Sequence, residues 1–419
     1  LAVAAGCGDA MVDDQVPAPV IGSSYRVDSS SPSVILISID TLRADRLGCY
    51  GYPAPTSPVI DRFREQSVLF EWAIAQAPST LPSHATMLTS LLPEHHGAFF
   101  SRRTPLTPSL PTLATELKAA GYRTAAFTGG GQIAPEFGLD RGFEIYGVNQ
   151  GGADFEAAVE AGLEWLARDR RRPSFLFLHS YEVHHPYEPD PKLLAIFDDG
   201  YDGLLPPHVS KDDLERINRG EIAIDRRDLD HIVAAYDAEI RSVDEAFAAF
   251  LDGLEELGLS DDALVVFTSD HGEEFGEHGI VGWHSHTLYD ELLRVPLVIR
   301  FPEGRHAGTT VGAQVRLLDL APTVLGEIGL EVPAGFEGVD LTRVLAGLAT
   351  PLPAVSQLDL PFGENQMSLR TARWKLYPRA AFAGDPSGRC GDALPAGLCR
   401  RSGRRCGAGG DRQRCAGRL

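Results

Sequence analysis

Two hydroxyls, Ser79 and Thr80, stand just ahead of Pro82 in the stretch from residue 77 to residue 90. A proline at the first helical position suits the fixed backbone of a first turn, and a hydroxyl before it caps free N–H groups, so the spacing predicts a helix start. A hydroxyl at such a start lies in a positive partial field, a natural seat for an anionic ester and its nucleophile. Alone, the segment is a plain capped helix. Distant residues change that reading. Asp40 follows the apolar run Val34-Ile35-Leu36-Ile37-Ser38-Ile39, Asp270-His271 follows Ala263-Leu264-Val265-Val266-Phe267-Thr268-Ser269, and His179 and His184 follow Ser174-Phe175-Leu176-Phe177-Leu178. Charged or imidazole side chains directly after buried strands are costly unless they bind something. Two carboxylates and an imidazole that converge make a divalent-metal site, and a hydroxyl completing it becomes a usable nucleophile.

The elements that must position these residues alternate. Continuous apolar runs such as 33–39, 174–179 and 263–269 suit parallel strands buried on both faces. Residues 68–75, 123–128 and 297–301 read as further strands. Helices are expected over 56–66, 110–120, 153–170, 228–257 and 317–330, and the polar stretch 188–225 reads as an insertion at the site rim. Strands alternating with helices predict an α/β fold, a large mostly parallel sheet flanked by helices. Open sheets of this kind place their sites at the carboxyl ends of the strands, where Asp40 falls.

Six segments, in order, resemble the sulfatase family of the alkaline phosphatase superfamily over roughly residues 33–378: Ile39-Asp40-Thr41-Leu42-Arg43-Ala44-Asp45; Leu81-Pro82-Ser83-His84 with Met87-Leu88-Thr89; His184-His185-Pro186-Tyr187; Ser269-Asp270-His271-Gly272-Glu273; Leu288-Tyr289-Asp290-Glu291 with Arg294-Val295-Pro296-Leu297; and Arg370-Thr371 with Trp374-Lys375. The resemblance implies a small C-terminal antiparallel subdomain beside the large sheet. It also implies roles: Asp40, Asp270, His271 and Thr80 as ligands of one divalent metal, Thr80 as nucleophile, His184 as the group that binds the ester or protonates its leaving oxygen, and Lys375 as a contact to the anionic oxygens. His284 and His286 are weaker candidates. Carboxylate and hydroxyl ligands with one imidazole suit Ca, Mg or Mn, with Zn also compatible.

The departures from the family pattern bear on the substrate. Sulfatases carry Cys or Ser at the nucleophile position and oxidise it to formylglycine; here Thr80 stands there, with Ser79 as an alternative one residue out of register. Oxidising a secondary alcohol gives a ketone, so the usual aldehyde hydrate is not formed. The pattern's Arg is His84, and its Gly-Lys-Trp-His segment is replaced by Phe127-Thr128-Gly129-Gly130-Gly131. A Thr nucleophile is similar to the superfamily's phosphodiesterases, phosphonate monoester hydrolases and phosphoglycerol transferases. The expected activity is metal-dependent hydrolysis of a phosphate- or phosphonate-type ester. The alternatives are a formylglycine-type sulfatase and an inactive binding protein that keeps the fold.

The 419 residues hold 58 Asp+Glu against 38 Lys+Arg, a formal net charge of −20, which excludes nucleic acid as a natural partner and leaves a small-molecule or glycan- or lipid-linked anionic ester. Leu1-Ala2-Val3-Ala4-Ala5-Gly6-Cys7 resembles the end of a bacterial lipoprotein signal. Lipidation of Cys7 would make the chain an exported periplasmic or cell-surface protein whose membrane contact is that anchor, with no oligomeric state implied. The expected organisation is a signal remnant and tether over 1–32, a catalytic domain over 33–345, an incomplete small subdomain over 346–378, and an aberrant, disordered tail over 379–419. That tail holds Cys390, Cys399, Cys406 and Cys415, whose spacing is wide for zinc.

Overall fold

The computed structural model describes residues 27, 31–149, 154–198, 200–350, 352–360 and 365–377. The expected anchor at Cys7 and the expected tail over 379–419 lie outside these residues. In chain order the strands and helices are β1 (Val34–Ile39), α1 (Pro58–Glu65), β2 (Val68–Ile74), α2 (Thr80–Thr89), α3 (Pro93–His96), α4 (Leu113–Ala120), β3 (Arg123–Thr128), β4 (Ile145–Val148), α5 (Phe155–Arg168) and β5 (Ser174–Ser180). Then come α6 (Pro191–Phe197), α7 (Lys211–Asn218), α8 (Arg226–Glu256), β6 (Leu264–Thr268), the short pair β7 (Glu274–Phe275) and β8 (Val281–Trp283), α9 (Asp290–Leu293), β9 (Arg294–Val295) and β10 (Leu297–Arg300). The last elements are β11 (Thr310–Arg316), α10 (Leu320–Glu327), α11 (Leu341–Leu345), β12 (Ala354–Leu358), β13 (Gln366–Arg370) and β14 (Lys375–Leu376).

Nine strands form one sheet in the order β11-β2-β10-β6-β1-β5-β3-β4, with β9 paired to β2. Strand β1 is parallel to both neighbours, Ile37 facing Leu178 of β5 on one side and Phe267 of β6 on the other. The sheet is mostly parallel, as expected, with β10 antiparallel to both β6 and β2 and β9 antiparallel to β2. Period-two alternation sends β1 side chains to two cores. Val34 and Leu36 pack on one face with Leu81 and Leu88 of α2 and Val324 of α10. Ile35, Ile37 and Ile39 pack on the other with Trp165 of α5 and Tyr236, Val243 and Phe247 of α8. The small antiparallel sheet β12-β13-β14 follows, as expected for a C-terminal subdomain. The polar stretch 188–225 carries α6 and α7. Strands β4 and β11 were not expected from the sequence; β4 is short and half exposed, and β11 alternates exposed and partly buried residues in its first half. Among the described residues no helix is long and apolar enough to cross a membrane.

The topology puts three carboxyl strand ends side by side. β1 ends at Ile39, β5 at Ser180 and β6 at Thr268, and the Asp40 backbone N–H donates to Ser180 O at 2.9 Å. The long helix α8 locks this rim from one side: Tyr236 donates its hydroxyl proton to Thr41 O at 2.8 Å and accepts from the Arg43 N–H at 2.9 Å.

At the next residue of α8, Asp237 is buried with Oδ2 accepting from the Tyr52 hydroxyl at 2.5 Å and Oδ1 3.9 Å from Arg46. Burial raises its pKa from 3.8 to about 6 against the opposing pull of Arg46 and Tyr52. A raised carboxyl pKa means that the folded state keeps a proton the unfolded chain has released, so stability is lost as pH rises from about 4 to about 6. Asp237→Asn should therefore gain on the wild type across that window, by about 3 kcal/mol once above it. Urea unfolding at pH 4.5 and pH 7.5 reads the difference; an equal effect at both values would refute it.

Candidate active site

Asp40, Asp270 and His271 are fully buried, and each offers a ligand atom within 4.8 Å of the others. Asp40 leaves β1 directly; Asp270 and His271 leave β6 after Ser269. The loops are tied together by short bonds: Leu42 N–H donates to Ser269 Oγ at 3.1 Å, and Ser269 Oγ donates to His271 O at 2.7 Å. Thr41, next to Asp40, has φ +58°, a region costly for a β-branched residue. Its carbonyl is held there by Tyr236 and its hydroxyl donates to Val183 O at 3.2 Å. Gly272 is required for another reason: a Cβ there would lie 2.0 Å from the Glu291 carbonyl oxygen.

Thr80 opens α2. The sequence reading placed the helix start at Pro82; the structure starts it two residues earlier, with Ser79 at the N-cap and no cap bond from its hydroxyl. Pro82 still falls in the first turn, where its missing N–H costs nothing. Thr80 is buried, and its Oγ1 lies 3.5 Å from His271 Nε2. His271 donates Nδ1–H to Gly272 O at 3.0 Å, so Nε2 carries the lone pair toward Thr80 and the carboxylates. Ser83, one turn along α2, donates its hydroxyl proton to Asp270 O at 2.7 Å and fixes the helix against the Asp270 loop.

The electrostatics point to a cation. All four carboxylate oxygens of Asp40 and Asp270 are buried without a hydrogen-bond partner among the described residues. Burial opposes ionisation of Asp40, but the neighbouring imidazole of His179 and the fields of His271 and His184 hold its pKa well below the usual carboxylate range. Burial, and then the charge of Asp40, push Asp270 in the opposite direction. A pair of buried acids that cannot both ionise alone is relieved by a divalent ion. The donor set of two carboxylates, one imidazole lone pair and one hydroxyl fits such an ion.

Imidazoles line the rest. His179 Nε2 lies 3.5 Å from Asp40 Oδ2. His184 and His284 face each other with ring centroids 5.0 Å apart, and His284 lies 4.5 Å from the His271 ring. His284, a weak candidate on sequence, thus belongs to the cluster, whereas His286 turns away to Glu274 at 2.9 Å. His84, in the position of the family's arginine, is locked behind the site. Its Nδ1–H donates to Thr80 O at 2.8 Å, and its Nε2 accepts from Ser38 Oγ at 3.0 Å. Burial pushes its pKa down to about 3, so it is a neutral positioning group. Lys375 is not brought to the cluster by any described contact: its Nζ lies 2.6 Å from Asp290 Oδ1. The sequence reading gave Glu273 no role. It is fully buried, with Oε1 accepting from His284 Nδ1 at 2.9 Å and Oε2 from the Tyr187 hydroxyl at 2.7 Å. Its place beside the Asp-His pair and the polar neighbours Tyr187 and His185 were the available signal.

Central strand ends that carry buried acids, an imidazole and a hydroxyl define the class: an ester-hydrolysing enzyme of the alkaline phosphatase superfamily. Residues 32–330 match the family model described as Sulfatase, and the chain belongs to that family. It is 26% identical over 399 residues to the ulvan-active sulfatase of Formosa agariphila, covering 86% of this chain and 75% of that protein. It is 28% identical over 209 residues to the multifunctional alkaline phosphatase superfamily protein PehA of Trinickia caryophylli, covering 45% and 40%. In fold it is similar to the phosphonate monoester hydrolase of Agrobacterium radiobacter, at TM-score 0.68, 21% identity and coverage of 82% and 86%.

Members of this family are metal-dependent, and a bound ion stabilises the folded state in proportion to its saturation. At about one hundred times its Kd, Ca, Mg or Mn should add about 2.7 kcal/mol to the unfolding free energy. Asp270→Asn should lose most of that gain. Thermal unfolding with and without each ion is the measurement, and an equal gain in the variant would remove Asp270 from the site.

Proposed function

We propose that the protein hydrolyses a phosphate- or phosphonate-type ester through direct attack by the Thr80 hydroxyl. The observation that carries this is the position of Thr80 Oγ1, at a helix start and 3.5 Å from His271 Nε2, beside two unpartnered carboxylates. When bound by Asp40, Thr80, Asp270 and His271, a divalent ion supplies the positive charge that lowers the hydroxyl's pKa and offsets charge on the ester. The donor chemistry favours Ca, Mg or Mn.

The chain's own residues supply the rest. The Thr80 oxygen, its hydroxyl proton released to solvent water, forms a bond to phosphorus as the bond to the leaving oxygen breaks, giving a phospho-threonine. His184 donates its Nδ1–H to His185 O at 2.6 Å, which leaves Nε2 to serve the ester. Protonated, that nitrogen gives its proton to the leaving oxygen; neutral, it takes one from the water that releases phosphate from Thr80. His84 and Ser83 hold the Thr80 turn and the Asp270 loop in register. Lys375 has no part in this scheme while it remains on Asp290.

A second reading, sulfate-ester hydrolysis, is supported by the names of relatives such as the ulvan-active sulfatase. A threonine cannot give the aldehyde of the formylglycine route, so on this reading too Thr80 would attack directly. The export expected from the Cys7 segment fits a glycan- or lipid-linked ester met outside the cytoplasm.

Thr80→Ala should reduce kcat for aryl phosphate diesters and aryl phosphonates by at least about a thousandfold, the scale of removing a covalent nucleophile. Metal content should fall by no more than one ligand's share. The measurement is turnover of a panel of aryl phosphate, phosphonate and sulfate esters by wild type and variant. Sulfate turnover alone, abolished in the variant, would favour the second reading. No turnover of any ester by metal-loaded wild type would leave a binding protein.

A further inference from the structure

Helix α2 is not capped by the side chain of its own N-cap residue. Ser79 makes no cap bond, and the Leu81 N–H, one residue past Thr80, donates instead to the side-chain oxygen of Gln132 at 3.3 Å. Only the oxygen of an amide accepts from an N–H, so this bond fixes which arm of the Gln132 side chain is which. Oε1 is turned to the helix start, and Nε2, one carbon away, carries two N–H donors with no hydrogen-bond partner among the described residues. We propose that Gln132 contacts the substrate, its Nε2 donating to a non-bridging oxygen of the ester over Thr80 and favouring a singly charged ester over a doubly charged one, a role that rests on the reading of Thr80 as nucleophile.

The position of Gln132 is built from the wall of the cleft. Its backbone N–H donates to the Tyr181 hydroxyl at 3.2 Å, and that hydroxyl donates to Gly130 O at 3.1 Å. The Tyr181 ring stands edge-on to His179, with centroids 4.7 Å apart, and edge-on to His184 at 5.6 Å. His179 in turn lies 3.5 Å from Asp40. Gln132 is therefore anchored to the same imidazoles that surround the carboxylates. The turn before it needs its glycines: Gly130 and Gly131 have φ of +72° and +59°, and a Cβ on Gly131 would lie 2.9 Å from the Tyr181 hydroxyl. Held at its backbone by Tyr181 and at Oε1 by α2, the side chain has its Nε2 placed before an ester arrives.

A neutral donor at this place sets a charge preference. An ammonium would offset a second charge on the ester, whereas an amide supplies N–H groups alone. The neighbouring groups do not make up the difference. The Nδ1 protons of His271 and His184 are spent on Gly272 O and His185 O, and His84 is neutral. A phosphate diester or a phosphonate monoester carries one negative charge, but a phosphate monoester carries two above its second pKa of about 6. The singly charged esters therefore leave less charge unbalanced beside Gln132.

The test compares Gln132→Glu, Gln132→Leu and Gln132→Lys in the full, manganese-loaded chain. Glu keeps an oxygen for the Leu81 N–H but, ionised, has no N–H to give; Leu has neither. Gln132→Glu should therefore unfold at the wild-type temperature, while kcat/KM for bis-para-nitrophenyl phosphate falls at least about tenfold in both Gln132→Glu and Gln132→Leu, the scale of one hydrogen bond to a charged group. Gln132→Lys should raise kcat/KM for para-nitrophenyl phosphate relative to that diester by about tenfold at about pH 8. Binding is read apart from turnover, as the Kd of phenyl methylphosphonate for Thr80→Ala and for Thr80→Ala/Gln132→Leu, with about tenfold weaker binding expected in the latter. If Thr80→Ala keeps full turnover while the Gln132 variants lose it, Gln132 stands as the contact and Thr80 falls as nucleophile. Wild-type kcat/KM in Gln132→Glu, equal Kd values in the binding pair, or an unchanged ester preference in Gln132→Lys would overturn the proposal.

Discussion

Two carboxylates buried without partners constrain everything around them. Asp40 and Asp270 sit at the ends of adjacent strands, and parallel pairing of β1 with β6 fixes their approach. A folded domain accepts such a cost only where something offsets it. The surrounding structure shows how firmly the pair is held: Thr41 is kept at a positive φ by Tyr236, Gly272 leaves room for the Glu291 carbonyl, and Ser83 braces the Asp270 loop. The site therefore presents unpaired carboxylate oxygens, the setting in which a cation is proposed to bind, on a chain already strongly acidic overall.

The sheet order explains why residues so distant in sequence meet. β1 is flanked by β5 and β6, which enter the sheet from opposite sides of the chain's path, so the carboxyl end of β1 is a switch point of the kind where open sheets bind ligands. Asp40, His179 and Asp270 come from the three neighbouring strand ends. Thr80 comes from the helix that follows β2, further along the same sheet. Reversal of β10 between β6 and β2 lets the chain lay β2 in the same sense as the central strands, and this points the start of α2 at the same rim.

Much of this was legible in the sequence. The continuous apolar runs of β1, β5 and β6 announced buried strands, and the acids that closed them announced a site, because few sequences place Asp directly after six buried residues without use for it. The helix from Thr80 was legible from its hydroxyls and proline, though not its first residue, since a proline is tolerated anywhere in a first turn. The antiparallel sense of β10 was not legible: Leu297 to Ile299 is apolar on both faces, and apolarity records burial rather than direction. The destinations of Lys375 and His84 were hidden for a related reason. Sequence gives a residue's type and its neighbours along the chain, whereas Asp290 and Ser38, the partners that capture them, are brought close only by folding.

The replacement of fixed cations by imidazoles is the feature that most sets this site apart from the pattern it resembles. Every side chain that draws the Asp40 pKa down is a histidine, and the arginine position is filled by one as well. A guanidinium or ammonium brings a permanent charge to an anionic ester. A buried imidazole brings a lone pair or a proton, according to what hydrogen-bonds to its other nitrogen. With Nδ1–H spent on Gly272, His185 and Glu273, the inward nitrogens of His271, His184 and His284 are acceptors at rest. Positive charge in this cleft must then arrive with a metal ion or a captured proton. A site built that way holds a singly charged ester with less cost than a doubly charged one, as the proposed attack of Thr80 on diesters and phosphonate monoesters requires.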